Sequence, residues 1–113
     1  MLSILTPRAH GVLDYLTVVA FAVAPAALGL SGLAATLSYL LAAVHLVMTV
    51  LTDFDLGVVL KLPFRIHGVV ELAVGVALVA LACFLFDGTA RTFYLVMGVV
   101  VLAVWATTGY EAA

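Results

Sequence analysis

The chain has 113 residues, of which 67% are hydrophobic and only 9% are charged. A soluble domain carries roughly a quarter charged residues to keep its surface hydrated, so this composition excludes a water-soluble globular protein. The formal net charge is -2 and the sequence has no basic run, which excludes a surface that follows nucleic-acid phosphates. We therefore predict an integral membrane protein.

Four apolar stretches follow one another along the chain, each close to the roughly 20 residues that a helix needs to cross the hydrocarbon layer. They cover residues 10–28, 33–52, 67–86 and 91–108. Short breaks separate the first stretch from the second and the third from the fourth, as in tight helical hairpins. A longer linker joins the two hairpins. The sequence thus predicts an all-α membrane protein with a single four-helix domain over residues 1–113.

The two hairpins look like copies of one unit. A shift of 57 residues places RAHGVLD, residues 8–14, on RIHGVVE, residues 65–71. Histidine falls on histidine, glycine on glycine and a carboxylate on a carboxylate. We interpret this as a tandem duplication with repeat units at 8–55 and 65–111. Because each unit crosses the membrane twice, we expect a pseudo-twofold axis along the membrane normal to relate the copies.

The basic residues indicate which side of the membrane holds the termini. Arg8, Lys61 and Arg65 lie on the side of the two repeated segments, whereas Arg91 lies on the other side. Positive charge favours the cytoplasmic side of a membrane. We therefore expect a multi-pass protein of the inner (cytoplasmic) membrane with both termini in the cytoplasm.

A short segment near the end of the first stretch resembles a known family. Residues 24–30 read APAALGL, in which Pro25, Leu28 and Gly29 match a Ser-Pro-Trp segment followed by Leu-Gly-Phe. That pattern is typical of the SPW-repeat family of bacterial and archaeal membrane proteins. The corresponding residues 82–88, ACFLFDG, lack the serine, the proline and the tryptophan. The resemblance implies a four-helix membrane protein built from a duplicated two-helix unit, and it implies no activity.

The repeated segments carry the candidate site. His10 and Asp14 are four residues apart, as are His67 and Glu71, so each pair lies on one face of its helix. In a bundle whose neighbours follow chain order, the first and third helices are diagonal and these faces can meet across the core. Imidazole nitrogens and carboxylate oxygens suit Zn, Fe or Mn. We therefore predict a cytoplasmic-side His/carboxylate cluster that binds a divalent metal ion.

A simpler interpretation of the same residues needs no ligand. Asp14 and Glu71 lie in early helical turns, where the helix dipole favours negative charge, and Arg8 and Arg65 stand close enough to pair with them. Under this interpretation the two segments are membrane-interface anchors, and the duplication alone explains why they are alike.

Two further interpretations stay open. Haem b held by His10 and His67 is one, with the adjacent glycines leaving room for the ring. The other is a proton or ion path, because His45, Thr49 and Asp53 follow one line along the second stretch.

Catalysis is not the favoured interpretation. The sequence has no recognisable Ser-His-Asp order, phosphate-binding loop, cysteine pair or nucleotide fingerprint. The stretches are apolar nearly all round, which favours contact with lipid and with other protein helices. We therefore expect the lipid bilayer as the surroundings, and a homo-oligomer or a structural or accessory place in a larger membrane complex as the alternative to a ligand of its own.

Overall fold

The computed structural model describes residues 4–110, and over this range the four predicted stretches form four helices. Helix α1 spans Pro7–Leu28, α2 spans Gly32–Leu51, α3 spans Phe64–Phe84 and α4 spans Gly88–Thr107. Helices α1 and α2 pack as one hairpin, and α3 and α4 as the other. All four are long and apolar enough to cross a membrane. The prediction of an all-helical chain with four apolar helices is confirmed.

The ends of α1 follow from local capping. Thr6 precedes the helix and its hydroxyl accepts a hydrogen bond of 3.1 Å from the backbone N–H of Ala9. Pro7 fits the first helical position because its missing N–H would have no partner there. The helix stops at Leu28 because Gly29 adopts a left-handed conformation with φ 66°, which glycine reaches without steric strain.

The half of the bundle near the hairpin turns has an apolar core. Phe21, Leu78 and Tyr94 are completely or almost completely buried there. Two hydroxyl groups in this region are satisfied by main-chain carbonyls: that of Ser38 donates to Phe21 O at 2.6 Å, and that of Tyr94 donates to Ala34 O at 2.7 Å. The bond from Tyr94 joins the second hairpin to the first.

The linker folds back over the opposite end of the bundle. Its first residues, Thr52–Asp53 (β1), pair in parallel with Leu62–Pro63 (β2). The hydroxyl of Tyr15 donates a hydrogen bond of 2.7 Å to the carbonyl of Leu56. The linker is therefore packed against the helices, although its sequence pattern predicted only a connection between hairpins.

Gly98 sets the distance between α3 and α4. A Cβ at this position would lie 2.8 Å from Val79 Cγ2 and 3.0 Å from Val79 N. Because backbone cannot move aside as a side chain can, Gly98→Ala is expected to lower the free energy of unfolding by about 1–3 kcal/mol, measured by thermal denaturation in detergent. Val99→Ala alters an exposed neighbour and serves as the control. Equal melting temperatures for the two variants would contradict this close approach.

Candidate metal centre

Buried histidines and carboxylates meet at the end of the bundle that the linker covers. His10 and Asp14 lie near the start of α1, and His67 and Glu71 near the start of α3. The side chains are at most 2% exposed. One ligand atom from each of the four residues lies within 4.8 Å of the others. The four residues that the sequence singled out therefore converge.

The distances between the donor atoms match a coordination shell. His10 Nε2 lies 3.1 Å from Asp14 Oδ2 and 2.9 Å from Glu71 Oε2. His67 Nε2 lies 2.8 Å from Asp14 Oδ2 and 3.5 Å from Glu71 Oε1. Ligands at 2.0–2.1 Å from a zinc-sized ion would be about 3.3 Å apart in a tetrahedron and about 2.9 Å apart in an octahedron. The observed separations span both values.

Two threonines determine which ring nitrogen of each histidine carries a hydrogen. Thr108 Oγ1 lies 2.8 Å from His10 Nδ1 and donates its own hydrogen to the Val104 carbonyl at 2.5 Å. A hydroxyl has a single hydrogen, so Thr108 must accept the Nδ1–H of His10. Thr52 Oγ1 holds His67 Nδ1 in the same way at 2.6 Å and donates to a carbonyl of the preceding helical turn. In the neutral rings, each Nε2 then carries a lone pair.

The two Nε2 lone pairs face each other. His10 Nε2 and His67 Nε2 are 3.3 Å apart, within hydrogen-bond distance. Because both Nδ1–H groups are already taken, a contact between the two Nε2 lone pairs needs a proton or a metal ion between or beside them. Among the described residues, Asp14 Oδ2 is a buried oxygen without a hydrogen-bond partner, although His67 Nε2 is 2.8 Å away. Leaving such an oxygen unsatisfied is costly. Together these features fit a cation held by all of these atoms.

The structure adds a third histidine that the sequence had placed elsewhere. His45 Nε2 lies 3.3 Å from Asp14 Oδ1 and 3.3 Å from Glu71 Oε1. Among the described contacts, no hydrogen bond between side chains continues the predicted polar line from His45 to Thr49 and Asp53. Thr49 is buried, but its hydroxyl donates to the carbonyl of His45 at 2.7 Å, and Asp53 is exposed. The described contacts thus place His45 with the carboxylates.

Three aromatic residues, Phe54, Phe64 and Tyr110, form a cover over the cluster. The ring of Phe64 stacks on Phe54 at a centroid distance of 5.3 Å and lies 4.8 Å from the ring of Tyr110. The Tyr110 hydroxyl donates a hydrogen bond of 3.4 Å to Glu71 Oε2. Burial, together with the nearby carboxylates, raises the pKa of Tyr110, so this hydroxyl remains a donor.

The glycine after each histidine makes room for this cover. A Cβ on Gly11 would lie 2.7 Å from the Phe54 ring, and a Cβ on Gly68 would lie 2.9 Å from the Tyr110 ring. The repeated His-Gly pair therefore combines a donor with a close approach of an aromatic ring. The predicted repeat units include Phe54 and Tyr110, but recognising the two as equivalents would have required a residue-by-residue alignment of the ends of the second and fourth helices.

The alternatives raised by the sequence can be compared with this geometry. Asp14 and Glu71 are buried against histidines, whereas Arg8 and Arg65 are exposed. The carboxylates thus face the bundle interior. A haem between His10 and His67 would need its ring in the space that the carboxylate oxygens fill, so the described geometry gives the haem interpretation no support.

Comparisons of the chain with protein-family models, curated proteins and solved structures found no match. They do not identify the SPW-repeat family, and that resemblance stays a prediction from residues 24–30. The chemistry of this protein therefore has to be inferred from the cluster itself.

Proposed function

We propose that the protein is a multi-pass inner-membrane protein that binds one divalent transition-metal ion, Zn, Fe or Mn, through His10, Asp14, His67 and Glu71. One observation carries the proposal. The two histidine Nε2 atoms are 3.3 Å apart while both Nδ1–H groups are engaged by threonines. A metal ion accepts both lone pairs at once, and threonine contacts of this kind orient metal-binding histidines.

Charge balance also supports a divalent ion. Asp14 and Glu71 bring two negative charges into a site with almost no solvent contact. A buried charge without a compensating partner raises the free energy of the folded state by several kcal/mol. A divalent cation with neutral imidazoles makes the whole site neutral. Protonated histidines would need N–H groups directed at the carboxylates. His45 Nε2 and Asp14 Oδ1 have hydrogen-bond geometry at 3.3 Å, but His67 Nε2 and Asp14 Oδ2 lack it although they are 2.8 Å apart.

The packing beyond the cluster supports binding over conduction. Phe21, Leu78 and Tyr94 fill the other half of the bundle, and the hydroxyl of Ser38 is taken up by a main-chain carbonyl. An ion that reached the cluster would meet an apolar core instead of further ligands, whereas ion pathways are lined by polar groups.

Surface composition supports a membrane location and a particular orientation of the bundle across the membrane. Large apolar side chains are exposed on every helix, including Leu16, Val44, Val76 and Val96. Arg8, Lys61 and Arg65 lie at the end of the bundle that holds the cluster. Arg91 lies at the other end, near the turn between α3 and α4. By the positive-inside rule we place the cluster and both termini on the cytoplasmic side.

We also propose that the two hairpins arose by tandem duplication and are related by a pseudo-twofold axis. Thr52 of the first half holds His67 of the second, and Thr108 of the second half holds His10 of the first. This reciprocal exchange supports a duplication, because equivalent residues make equivalent contacts across the interface of the two halves.

A titration with Co²⁺, followed by visible absorption, tests metal binding on chelator-treated protein in detergent. We expect saturation at about one ion per chain. The variant Asp14→Asn/Glu71→Gln keeps the side-chain shapes but removes both charges, and it should bind far more weakly. Asp53→Asn changes an exposed carboxylate and is the matched control. Absence of a cobalt spectrum in the wild-type protein would overturn the proposal.

A further inference from the structure

We infer that His45 is a positioning residue outside the coordination shell, which keeps Asp14 bound to the ion through one oxygen only and so favours Zn²⁺ over Mn²⁺. The inference rests on the proposed metal site. It deepens that proposal, because it names the kind of ion that the site selects and assigns the selection to a residue outside the duplicated segments.

The two oxygens of Asp14 face different partners. Oδ2 lies 3.1 Å from His10 Nε2 and 2.8 Å from His67 Nε2, the two nitrogens that would share the ion. It has no hydrogen-bond partner among the described residues. Oδ1 instead makes a hydrogen bond of 3.3 Å with His45 Nε2. Oδ2 is therefore the inner oxygen of this carboxylate, and Oδ1 is its outer oxygen.

The ring of His45 carries a hydrogen on Nε2 when Asp14 is an ionised ligand. A carboxylate only accepts hydrogen bonds, so the nitrogen donates to Oδ1. The same nitrogen lies 3.3 Å from a second acceptor, Glu71 Oε1. His10 and His67 are held in the opposite way, since threonines take up their Nδ1–H groups and leave Nε2 to the ion. A nitrogen that donates its hydrogen to a carboxylate has no lone pair for a metal, so His45 acts through Asp14.

Burial keeps this hydrogen bond in place. The side chains of His45 and Asp14 are 3% and 2% exposed, so little water can compete for Oδ1. The main-chain carbonyl of His45 accepts a hydrogen bond of 2.7 Å from the buried Thr49. Without the imidazole, Oδ1 would be a buried oxygen that has lost its donor, and such an oxygen has to find another positive partner. The nearest one would be the ion itself.

The hydrogen bond to the outer oxygen limits which ion the site suits. A carboxylate whose second oxygen is free can bind a cation through both oxygens, which adds a ligand to the shell. With Oδ1 held by His45, Asp14 contributes one atom, like each of the other three ligands. Two nitrogens and two oxygens suit Zn²⁺, which is commonly four-coordinate, whereas Mn²⁺ prefers oxygen ligands in an octahedral shell.

Paired titrations with Zn²⁺ and Mn²⁺ test this inference on chelator-treated protein in detergent. His45→Leu removes the N–H, and we expect its Zn²⁺ affinity to fall by about 10–100-fold, as for other residues that orient a metal ligand. Its Mn²⁺ affinity should fall much less, because Asp14 is then free to bind through both oxygens. The ratio of Zn²⁺ to Mn²⁺ affinity should therefore decrease by about 10-fold or more.

Two further variants separate the hydrogen bond from the shape of the side chain. His45→Gln places an amide N–H near the position of Nε2 and should recover most of the wild-type ratio. His45→Asn keeps an amide in the core but is shorter, and it should give the same decrease as His45→Leu. Leu46→Ala changes an exposed neighbour and is the control. Thermal melts of the metal-free variants against this control identify any loss that comes from misfolding.

The outcomes separate this inference from the proposed function. A wild-type protein that binds neither ion overturns both. A wild-type protein that binds Zn²⁺, together with folded His45→Leu and His45→Asn variants whose affinity ratios are unchanged, overturns only the role of His45. A wild-type protein that binds Mn²⁺ as tightly as Zn²⁺ contradicts the selection, and a His45→Gln variant that behaves like His45→Leu contradicts the hydrogen bond as its cause.

Discussion

His67→Ala is expected to lower the affinity for a divalent metal ion by more than about 100-fold, because residues that merely orient a ligand already contribute 10–100-fold. The change removes one of the two lone pairs that meet at 3.3 Å. It also leaves Asp14 Oδ2 without the imidazole 2.8 Å away. Isothermal titration of chelator-treated protein with Zn²⁺ measures the affinity directly.

The same variant should lose the stabilisation that metal binding gives. A ligand present at 100 times its dissociation constant stabilises the folded state by about 2.7 kcal/mol, so added Zn²⁺ should raise the melting temperature of the wild-type protein. It should leave His67→Ala unchanged. Ile66→Ala, a change at the exposed neighbouring residue, should behave like the wild type. A His67→Ala protein that keeps wild-type affinity would contradict the ligand assignment.

Thr108→Val is expected to reduce metal affinity by about 10–100-fold although Thr108 does not touch the ion. Valine has nearly the shape of threonine but cannot accept the Nδ1–H of His10. The buried N–H then loses its partner, and the alternative tautomer would put a hydrogen on Nε2, where the ion should bind. The same titration measures the change.

Thr107→Val is the matched control for this experiment. The hydroxyl of Thr107 donates to the carbonyl of Ala103 at 2.7 Å and contacts no histidine in the described structure. Thr108→Ser, which restores a hydroxyl, should recover most of the affinity. If Thr108→Val and Thr107→Val bound metal equally well, the threonine would have no role in orienting His10.

Hydropathy was enough to predict the helices but not where three of them begin. Helices α1, α3 and α4 each begin three residues before the predicted stretch. The first turns of α1, α3 and α4 contain Arg8, Arg65 and Arg91, respectively. Each arginine lowers the mean hydropathy of its turn. The Thr6 cap defines the start of α1 instead, and α3 begins directly after Pro63 without a side-chain cap. A local bond such as the Thr6 cap does not appear in an average over apolar residues.

The convergence of the four candidate ligands, His10, Asp14, His67 and Glu71, could be predicted because the geometry of each pair is local. A spacing of four residues fixes one face of a helix, and the repeat supplied a second copy of that face. His45 was assigned to a different site because its direction depends on how α2 is rotated in the bundle. The polar line of α2 predicts that His45 faces the bundle, but it does not show which residues of α1 and α3 that line meets. The partnership of Thr52 with His67 likewise depends on how the two halves pack.

Elemental analysis of protein purified without chelators tests the central claim most directly. The proposed site predicts about one Zn, Fe or Mn ion per chain in the wild-type protein and very little in His67→Ala prepared in parallel. A wild-type preparation with no stoichiometric metal, or equal metal contents in the two preparations, would contradict it.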